Sequence, residues 1–312
     1  MMKNQEAKRL FDVVVVGELN PDLIFSGNAV PEFNQVEKLV DRATLTIGSS
    51  AAIFACGAAR LGLQVAFLGK VGNDLYGEFM RSSLGERGID TRGIVIDKKT
   101  PTGISVILTN DKDRAILTFP GTIPSLSYNE LDQKILHQAR HLHVASYFIQ
   151  EALRPNLPKL FADAKSAGLS ISLDTNFDPL GKWELEVDEI LKSTDLFLPN
   201  EVECLRIARK STLEAATEYL QKKVNYLGVK MGEKGAILCH ASKKYQMNSL
   251  KVVVADTVGA GDTFDAGFVY GYLKGWEPER ILRMAVVCGS LSTRQPGGTS
   301  AQPTFDEAKQ YL

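Results

Sequence analysis

Short apolar runs alternate with amphipathic segments along most of the chain. The first run, 12–17, is a continuous β-branched stretch, which is typical of a strand buried on both faces of a parallel sheet. Similar runs predict further strands at 65–68, 143–144, 169–174, 196–199, 226–230 and 252–255. Apolar residues recur at helical spacing in 50–61, 74–87 and 155–167. Strands that alternate with helices in this way favour a doubly wound α/β architecture.

Two stretches, 23–46 and 95–119, depart from that alternation, because they combine strand-like patterns with turn residues and little helical periodicity. In the second stretch, 102–109 and 114–119 are predicted to form a hairpin that turns at 110–112. We expect the two stretches to build a small β-sheet over the main layer. A lid of this kind would close a site against water.

Composition narrows the class of protein without identifying a function. Among the 312 residues, Lys and Arg number 36 and Asp and Glu number 37, so the charge gives no case for binding nucleic acid or an anionic membrane. The four cysteines show no metal-ligand spacing, which predicts free thiols in a reducing compartment. The first apolar run is too short for a signal peptide or a membrane span. We therefore expect a soluble cytoplasmic protein.

The segment 256–267, DTVGAGDTFDAG, carries the strongest chemical signal. It follows a predicted strand and precedes a helical pattern, so we expect a glycine-rich turn at a helix N-terminus. Small residues let the backbone approach a ligand, and the unpaired N–H groups and the helix dipole favour a phosphate there. We expect Gly259, Ala260 and Gly261 to form an anion hole. Beside it, Asp262 would accept the proton of an attacking hydroxyl. The structural alternative is a tight turn with an Asp cap.

This segment resembles the C-terminal signature of the PfkB (ribokinase-like) family of carbohydrate and nucleoside kinases, and further matches follow the family order along nearly the whole chain. The resemblance implies a three-layer ribokinase-like α/β fold with a mainly parallel central sheet and a small β-sheet lid. It implies one kinase domain, 1–312, with the lid inserted at about 20–46 and 95–120. It also implies that ATP donates a phosphoryl group to a hydroxyl of a small sugar, with Mg²⁺ as cofactor.

The resemblance also implies a substrate site after the first strand. Asn20 and Asp22 would bind substrate hydroxyls, a role that suits amide and carboxylate groups. Residues 48–55 resemble the N-terminal signature of the family, in which Gly48 and Ser49 replace the usual glycine pair. Ile53 replaces an asparagine that touches substrate in many members, which puts ribose itself in doubt. A later match places two more residues near the substrate or the transferred phosphate, Asp174 and Asn176.

Matches in the second half of the chain imply a nucleotide site. Its residues are Asn200, Lys230, Gly232, Gly235 and Thr257. Asn200 and Glu203 fit a family motif whose polar groups organise Mg²⁺, Glu203 through water, although Asn200 could equally be a helix N-cap. The family often binds a monovalent cation such as K⁺ near the anion hole, and Asp256 matches part of that site.

Several alternatives stay open. Arg114, in the predicted lid, could pair with an anionic or hydroxyl-rich substrate or lie on a solvated strand face. The histidines at 137, 141 and 143 lack an evident carboxylate partner, which favours structural roles over metal binding. A nucleoside or other non-sugar kinase would share all of these motifs, and a catalytically inactive sugar- or nucleotide-binding protein is a further alternative. A nicotinamide dehydrogenase is disfavoured because no GxGxxG follows the first strand. Lid sheets often pair in this family, so a homodimer through the lid is expected.

Overall fold

The structure is a computed structural model that describes residues 9–110, 114–183 and 187–312. Its strands are β1 (Phe11–Val16), β2 (Pro21–Ser26), β3 (Arg42–Ile47), β4 (Val65–Gly72), β5 (Ile94–Asp97), β6 (Ile104–Thr109), β7 (Arg114–Phe119), β8 (Ala139–Val144), β9 (Ser170–Leu173), β10 (Leu196–Phe197), β11 (Tyr226–Lys230), β12 (Ala236–His240) and β13 (Lys243–Met247). Its α-helices are α1 (Ser50–Arg60), α2 (Leu75–Gly85), α3 (Gln133–His137), α4 (Leu157–Ser166), α5 (Val187–Ser193), α6 (Glu201–Ala208), α7 (Leu213–Leu220), α8 (Ala260–Leu273), α9 (Pro278–Ser292) and α10 (Phe305–Ala308).

The strands of the described chain form one large and one small sheet. The large sheet has the order β13-β12-β11-β10-β9-β8-β1-β4-β5. Its strands from β11 to β5 are parallel, and the hairpin of β12 and β13 adds an antiparallel edge beside β11. The small sheet has the order β3-β2-β6-β7, with a parallel pair of strands at its centre. The mainly parallel sheet predicted from the β-branched runs is therefore confirmed.

Strand β1 shows why the large sheet is buried on both faces. Val13 and Val15 point into a core that includes α1, α8 and α9, whereas Val14 and Val16 point into a second core that includes α4, α6 and α7. All four valines are fully buried. Helices thus cover both faces of the sheet, which accounts for a continuous apolar run rather than an alternating one. No helix in the described part of the chain is both long and apolar enough to cross a bilayer.

The small sheet is built from parts of the two stretches that lacked helical periodicity. The predicted strands of the hairpin are confirmed as β6 and β7, whose register pairs Ile104 with Phe119. Two residues of the predicted turn, 111 and 112, lie outside the described residues. Strand β5 pairs in parallel with β4 of the large sheet. The small sheet therefore takes only residues from 104 onwards of the second stretch.

The strand predicted at 252–255 is wrong. This segment has no strand pairing and runs beside the end of α9, where the Ala255 and Asp256 N–H groups donate to the Thr293 carbonyl at 2.8 and 3.1 Å. Val253 and Val254 are 88% and 56% exposed. The β-branched pattern arises because apolar side chains here line a cavity, as described below, and a single sequence does not distinguish that role from a strand in a sheet.

Two buried histidines in β8 have structural partners. His141 Nε2 and His143 Nδ1 each lie 2.7 Å from the Ser172 hydroxyl of β9, and the His143 ring stacks on Phe54 with centroids 3.6 Å apart. Burial lowers the pKa of His141 to about 3 and holds the pKa of His143 well below its usual range. Among the described residues, no three or more His, Cys, Asp or Glu side chains converge in a group that could hold a metal.

We therefore predict that the rings of His141 and His143 stay neutral in mildly acidic solution. Their imidazole ¹⁵N shifts should be constant between about pH 8 and pH 5, whereas a peptide histidine titrates near 6.5. Comparison with His141→Gln assigns the signals. A midpoint near 6.5 for either ring would contradict the buried arrangement.

Candidate active site

The carboxyl ends of neighbouring parallel strands place polar side chains at one edge of the large sheet. In sheet order from β11 to β1, these residues are Lys230, Asn200, Asp174, Ser146 and Glu18. Neighbouring strands lie about 4.8 Å apart, so the row runs across the sheet edge at which open α/β sheets bind ligands.

Helix α8 begins opposite this row at a turn that requires glycine. Gly259 has a φ of +72°, and a Cβ there would lie 2.8 Å from Gly298 Cα. The Ala260 N–H donates to the Thr257 carbonyl at 3.3 Å, so one group of the predicted anion hole already has a partner within the turn. The next N–H groups, of Gly261 and Asp262, have no acceptor within the helix because they belong to its first turn. All three residues from 260 to 262 line a cavity.

Asp262 lies where the first turns of α8 and α1 meet. It is half-buried, and its carboxylate accepts a hydrogen bond from the side chain of Ser50, the first residue of α1. Burial and then the negative charge of Asp174 raise the pKa of Asp262 to about 8, against the opposing charge of Lys230. In the ligand-free protein Asp262 is therefore protonated more readily than an ordinary aspartate.

Glu18 also belongs to this site, and the sequence interpretation gave it no role. Its Oε1 accepts from the Ser50 N–H at 2.8 Å and from the Ser146 hydroxyl at 2.9 Å. Its Oε2 is buried without a hydrogen-bond partner among the described residues, and burial raises its pKa. An acid directly after a buried β-branched run and a glycine is the sequence signal that could have identified it.

The small sheet contributes the opposite wall. Asp22, on β2, is buried against Gly48, where a Cβ would lie 2.1 Å from Asp22 Oδ1. Burial raises the pKa of Asp22 to about 7, although the charge of Arg114 opposes the rise. Arg114 begins β7 and lies 3.6 Å from Asp256 Oδ1, so the far edge of the small sheet reaches the turn before α8. Asn20 donates weakly to Ser105 of the same sheet, at 3.5 Å.

Two of the matched positions in the N-terminal signature have structural contacts. Ser49 is the N-cap of α1, where its hydroxyl accepts from the Ala52 N–H at 3.0 Å and donates to the Glu18 carbonyl at 2.6 Å. Ile53 is 3% exposed, and a Cβ on Gly298 would lie 2.5 Å from its Cδ1. Ile53 thus packs against the loop at Gly298, which also adjoins Gly259 before α8.

The residues after β9 connect the two halves of the row. Asp174 Oδ2 lies 2.7 Å from Lys230 Nζ, and Asp174 Oδ1 accepts from the Asn176 N–H at 3.2 Å. The side-chain amide of Asn176 is hydrogen-bonded to the Ser146 hydroxyl at 2.8 Å. Asp174 therefore contacts the lysine of the predicted nucleotide site, and Asn176 lies towards Ser146 and Glu18.

A cavity of about 510 Å³ extends from Asp262 past the carboxyl ends of β10 and β11. Its polar floor consists of Asp174, Asn200, Glu203 and Lys230. Its apolar wall consists of Leu250, Val252, Val254, Phe264 and Val286. The remaining predicted nucleotide residues, Gly232, Gly235 and Thr257, also line it. A flat ring such as a nucleobase would fit against this apolar wall. The volume of the cavity is within the range for small-ligand sites.

Glu203 and Asn200 are joined at the start of α6. Glu203 Oε2 accepts from the Asn200 N–H at 2.8 Å, and Asn200 Oδ1 accepts from the Glu203 N–H at 2.9 Å. Burial, and then the charge of Asp174, raises the pKa of Glu203 to about 7. Asn200 is thus an N-cap, and both side chains also face the cavity.

Comparison with known proteins identifies the class. The sequence profile of the pfkB family carbohydrate kinases matches residues 10–305, so the chain belongs to this family. The predicted family and enzyme class are therefore confirmed.

Individual relatives act on different sugars. An ATP-dependent ribose-1-phosphate kinase of Halopiger xanaduensis is 29% identical over 96% of this chain and 97% of its own length. A 2-dehydro-3-deoxygluconokinase of Bacillus subtilis is 27% identical, with coverages of 83% and 84%. A structure from E. coli described as a ribokinase II, in complex with ATP and Mg²⁺, superposes with a TM-score of 0.84 at 26% identity and covers 97% of this chain and 99% of its own. The predicted ribokinase-like fold is confirmed.

The raised pKa of Asp262 predicts a gain in stability when its charge is removed. Because the folded-state pKa lies above the usual value, the ionised carboxylate destabilises the fold increasingly as pH rises from about 4 to about 8. Asp262→Asn should therefore increase the free energy of unfolding at pH 8.5, by up to about 1.4 kcal/mol for each pH unit of that interval. Urea unfolding at several pH values measures this, with the exposed Glu78→Gln as control. A less stable variant at pH 8.5 would contradict the buried, charge-repelled environment.

Proposed function

We propose that this protein transfers the γ-phosphoryl group of ATP to a hydroxyl of a small sugar or sugar-like molecule, with Asp262 as the general base. The observation that carries the proposal is the position of Asp262 at the junction of two sites. On one side, Lys230 and Asp174 belong to the cavity. On the other side, Ser50 donates to Asp262 and its N–H donates to Glu18, whose charge acts on Asp22 of the small sheet.

The proposed reaction is a direct transfer. The acceptor hydroxyl hydrogen-bonds to Asp262, which takes its proton as the oxygen attacks the γ-phosphorus. The bond from that phosphorus to the β,γ-bridging oxygen breaks, and ADP leaves with the electron pair. The free N–H groups at the start of α8 face the developing charge, and such preorganised donors are each worth about 10²–10³ in rate. Asp262 then returns its proton to solvent.

The donor nucleotide occupies the 510 Å³ cavity in this proposal. Its base lies against the apolar wall, and its phosphates run along the polar floor to the first turn of α8. The oxygen-rich floor of Asp174, Asn200 and Glu203 fits Mg²⁺, because this ion prefers a few protein oxygens and retains waters. Both carboxylate oxygens of Glu203 already bond to Asn200, which suits contact through water. Bound Mg²⁺ would neutralise part of the negative charge of the phosphates.

The acceptor lies between the row at the sheet edge and the small sheet. Asn20, Asp22 and Asn176 provide amide and carboxylate groups, which each hydrogen-bond hydroxyls in more than one direction. Gly48 leaves room for Asp22, and Arg114 faces the same space from β7. The small sheet would exclude water from the reacting atoms, which prevents hydrolysis of ATP.

A monovalent cation has no step in this mechanism. The Asp256 carboxylate accepts from the Val258 N–H at 3.0 Å and the Gly297 N–H at 2.9 Å, and Arg114 lies 3.6 Å away. Its charge is thus compensated within the described chain, so the residues present do not call for K⁺. Activation through Asp256 stays a prediction.

The first test measures ADP release with Mg·ATP over a panel of sugars, sugar acids, polyols and nucleosides. We expect substrate-dependent turnover that falls at least about a hundredfold in Asp262→Asn, because general-base assistance contributes about 10²–10⁴. Glu78→Gln serves as the control. Equal turnover in Asp262→Asn would mean that another group is the base, and turnover of nucleosides alone would make this a nucleoside kinase. ATP binding without turnover of any acceptor would indicate an inactive binding protein.

We also infer that two copies of the chain associate through the small sheet. One face of that sheet carries the row Leu45, Leu23, Val106 and Leu117, and alternation places Asp22 on the opposite face. Leu45 and Leu117 are 39% and 63% exposed. Exposed apolar faces with open edge strands are prone to association.

Light scattering during gel filtration should therefore give the mass of a dimer, and Leu117→Lys should give a monomer. Lys243→Leu, at the edge of the large sheet, is a matched exposed change that should leave the dimer intact. A monomeric wild-type protein at all concentrations would refute this association.

A further inference from the structure

Helix α8 carries a second acid, Asp265, that the mechanism above does not use. It follows Asp262 by three residues and therefore lies on nearly the same face, one turn further from the cavity. It is 1% exposed and its Oδ2 lies 3.1 Å from Lys230 Nζ. Burial raises the pKa of Asp265 well above its usual range although the charge of Lys230 opposes the rise, and its carboxyl group is also hydrogen-bonded to that of Asp174.

Lys230 lies between two carboxylates. Its Nζ is 2.7 Å from Asp174 Oδ2, and it is 3.3 and 3.1 Å from the two oxygens of Asp265. A Cβ on Gly261 would lie 3.6 Å from the same Nζ, so the ammonium group adjoins the first turn of α8. Burial lowers the pKa of Lys230, but the charges of Asp174 and Asp265 outweigh burial and raise it, so the group stays charged.

The two carboxylates differ in their access to ligand. Asp174 and Lys230 line the cavity, whereas Asp265 lies behind Lys230 and is not among the described residues that line it. An anion that enters the cavity can therefore replace Asp174 beside the ammonium group. It cannot reach the Asp265 side. Because two acids share this one ammonium group, displacement of Asp174 still leaves Lys230 paired with Asp265.

We propose that Asp265 is a positioning residue that holds Lys230 Nζ at the first turn of α8 while a phosphate oxygen of the nucleotide takes the place of Asp174. This inference rests on the proposed function. An ammonium group has three donors, so one bond to Asp265 leaves donors for the phosphate. Without Asp265, Lys230 bonds to Asp174 alone. The phosphate must then compete with Asp174 for an ammonium group that has no second partner to hold it in place.

The experiment compares Asp265→Asn, Lys230→Met and the double variant with the wild type. We expect kcat/KM for ATP to fall roughly 10–100-fold in Asp265→Asn, because a displaced catalytic group typically costs about 10². Lys230→Met should fall further, and the double variant should match Lys230→Met, since Asp265 acts only through Lys230. Additive losses, or an unchanged kcat/KM in Asp265→Asn, would overturn the proposal.

Asp195→Asn is the matched control. Asp195 also pairs with a lysine, Lys165, and accepts from the Ile171 N–H at 2.7 Å, but it precedes β10 and so lies at the opposite edge of the sheet. It should leave kcat/KM unchanged. Thermal unfolding of Asp265→Asn and of the double variant shows whether a loss of kcat/KM comes from a destabilised fold.

A binding measurement separates this proposal from the kinase proposal. Calorimetric titration with ATP and with AMP gives the preference for the longer phosphate chain without any turnover. We expect that preference to fall at least about threefold in Asp265→Asn and more in Lys230→Met, with AMP affinity unchanged. If the wild type turns over no acceptor but the preference falls, only the kinase proposal fails. If the wild type turns over acceptors but the preference is unchanged in Asp265→Asn, only the role of Asp265 fails.

Discussion

The close approach of α1 to α8 is the constraint on which the site depends. Where the helices meet, a Cβ on Gly57 would lie 3.1 Å from Ala266 Cβ. Gln302 joins the helices further, since its amide donates to the Ile53 carbonyl at 2.8 Å and to the Thr263 hydroxyl at 3.0 Å. Because both helices begin at the same place, their dipoles and unpaired N–H groups face one volume. Larger residues along this contact would move the N-termini of α1 and α8 apart and separate the groups of the candidate site.

The layered fold could be predicted from the sequence because each buried strand and amphipathic helix has a local period. The β-branched run of β1 and the spacing in α1, α2 and α4 needed no long-range information. The segment 252–255 shows where this method fails. Val252 and Val254 line a cavity, and the edge of the sheet is formed instead by the hairpin of β12 and β13. A local pattern records that a side chain is apolar, but not what it faces.

The candidate site was predicted in part for the same reason. Asp262 and the glycines before it are contiguous, so their chemistry is visible in a short segment. The partners of Lys230 are not, because Asp174 and Asp265 are 56 and 35 residues distant along the chain and meet only through strand order. Glu18 was missed although it adjoins the first strand, since its role comes from Ser50 and Ser146, which belong to other elements.

Three acids around the candidate site, on α8, β2 and α6, hold protons more strongly than ordinary carboxyl groups do. Asp262 has a pKa of about 8, and Asp22 and Glu203 have values of about 7, so all three are partly protonated in neutral solution. A cation or hydrogen-bond donor that favours their ionised forms must expel those protons as it binds. Binding of such a ligand therefore releases protons to the solution, and the apparent affinity for the ligand rises with pH through thermodynamic linkage alone.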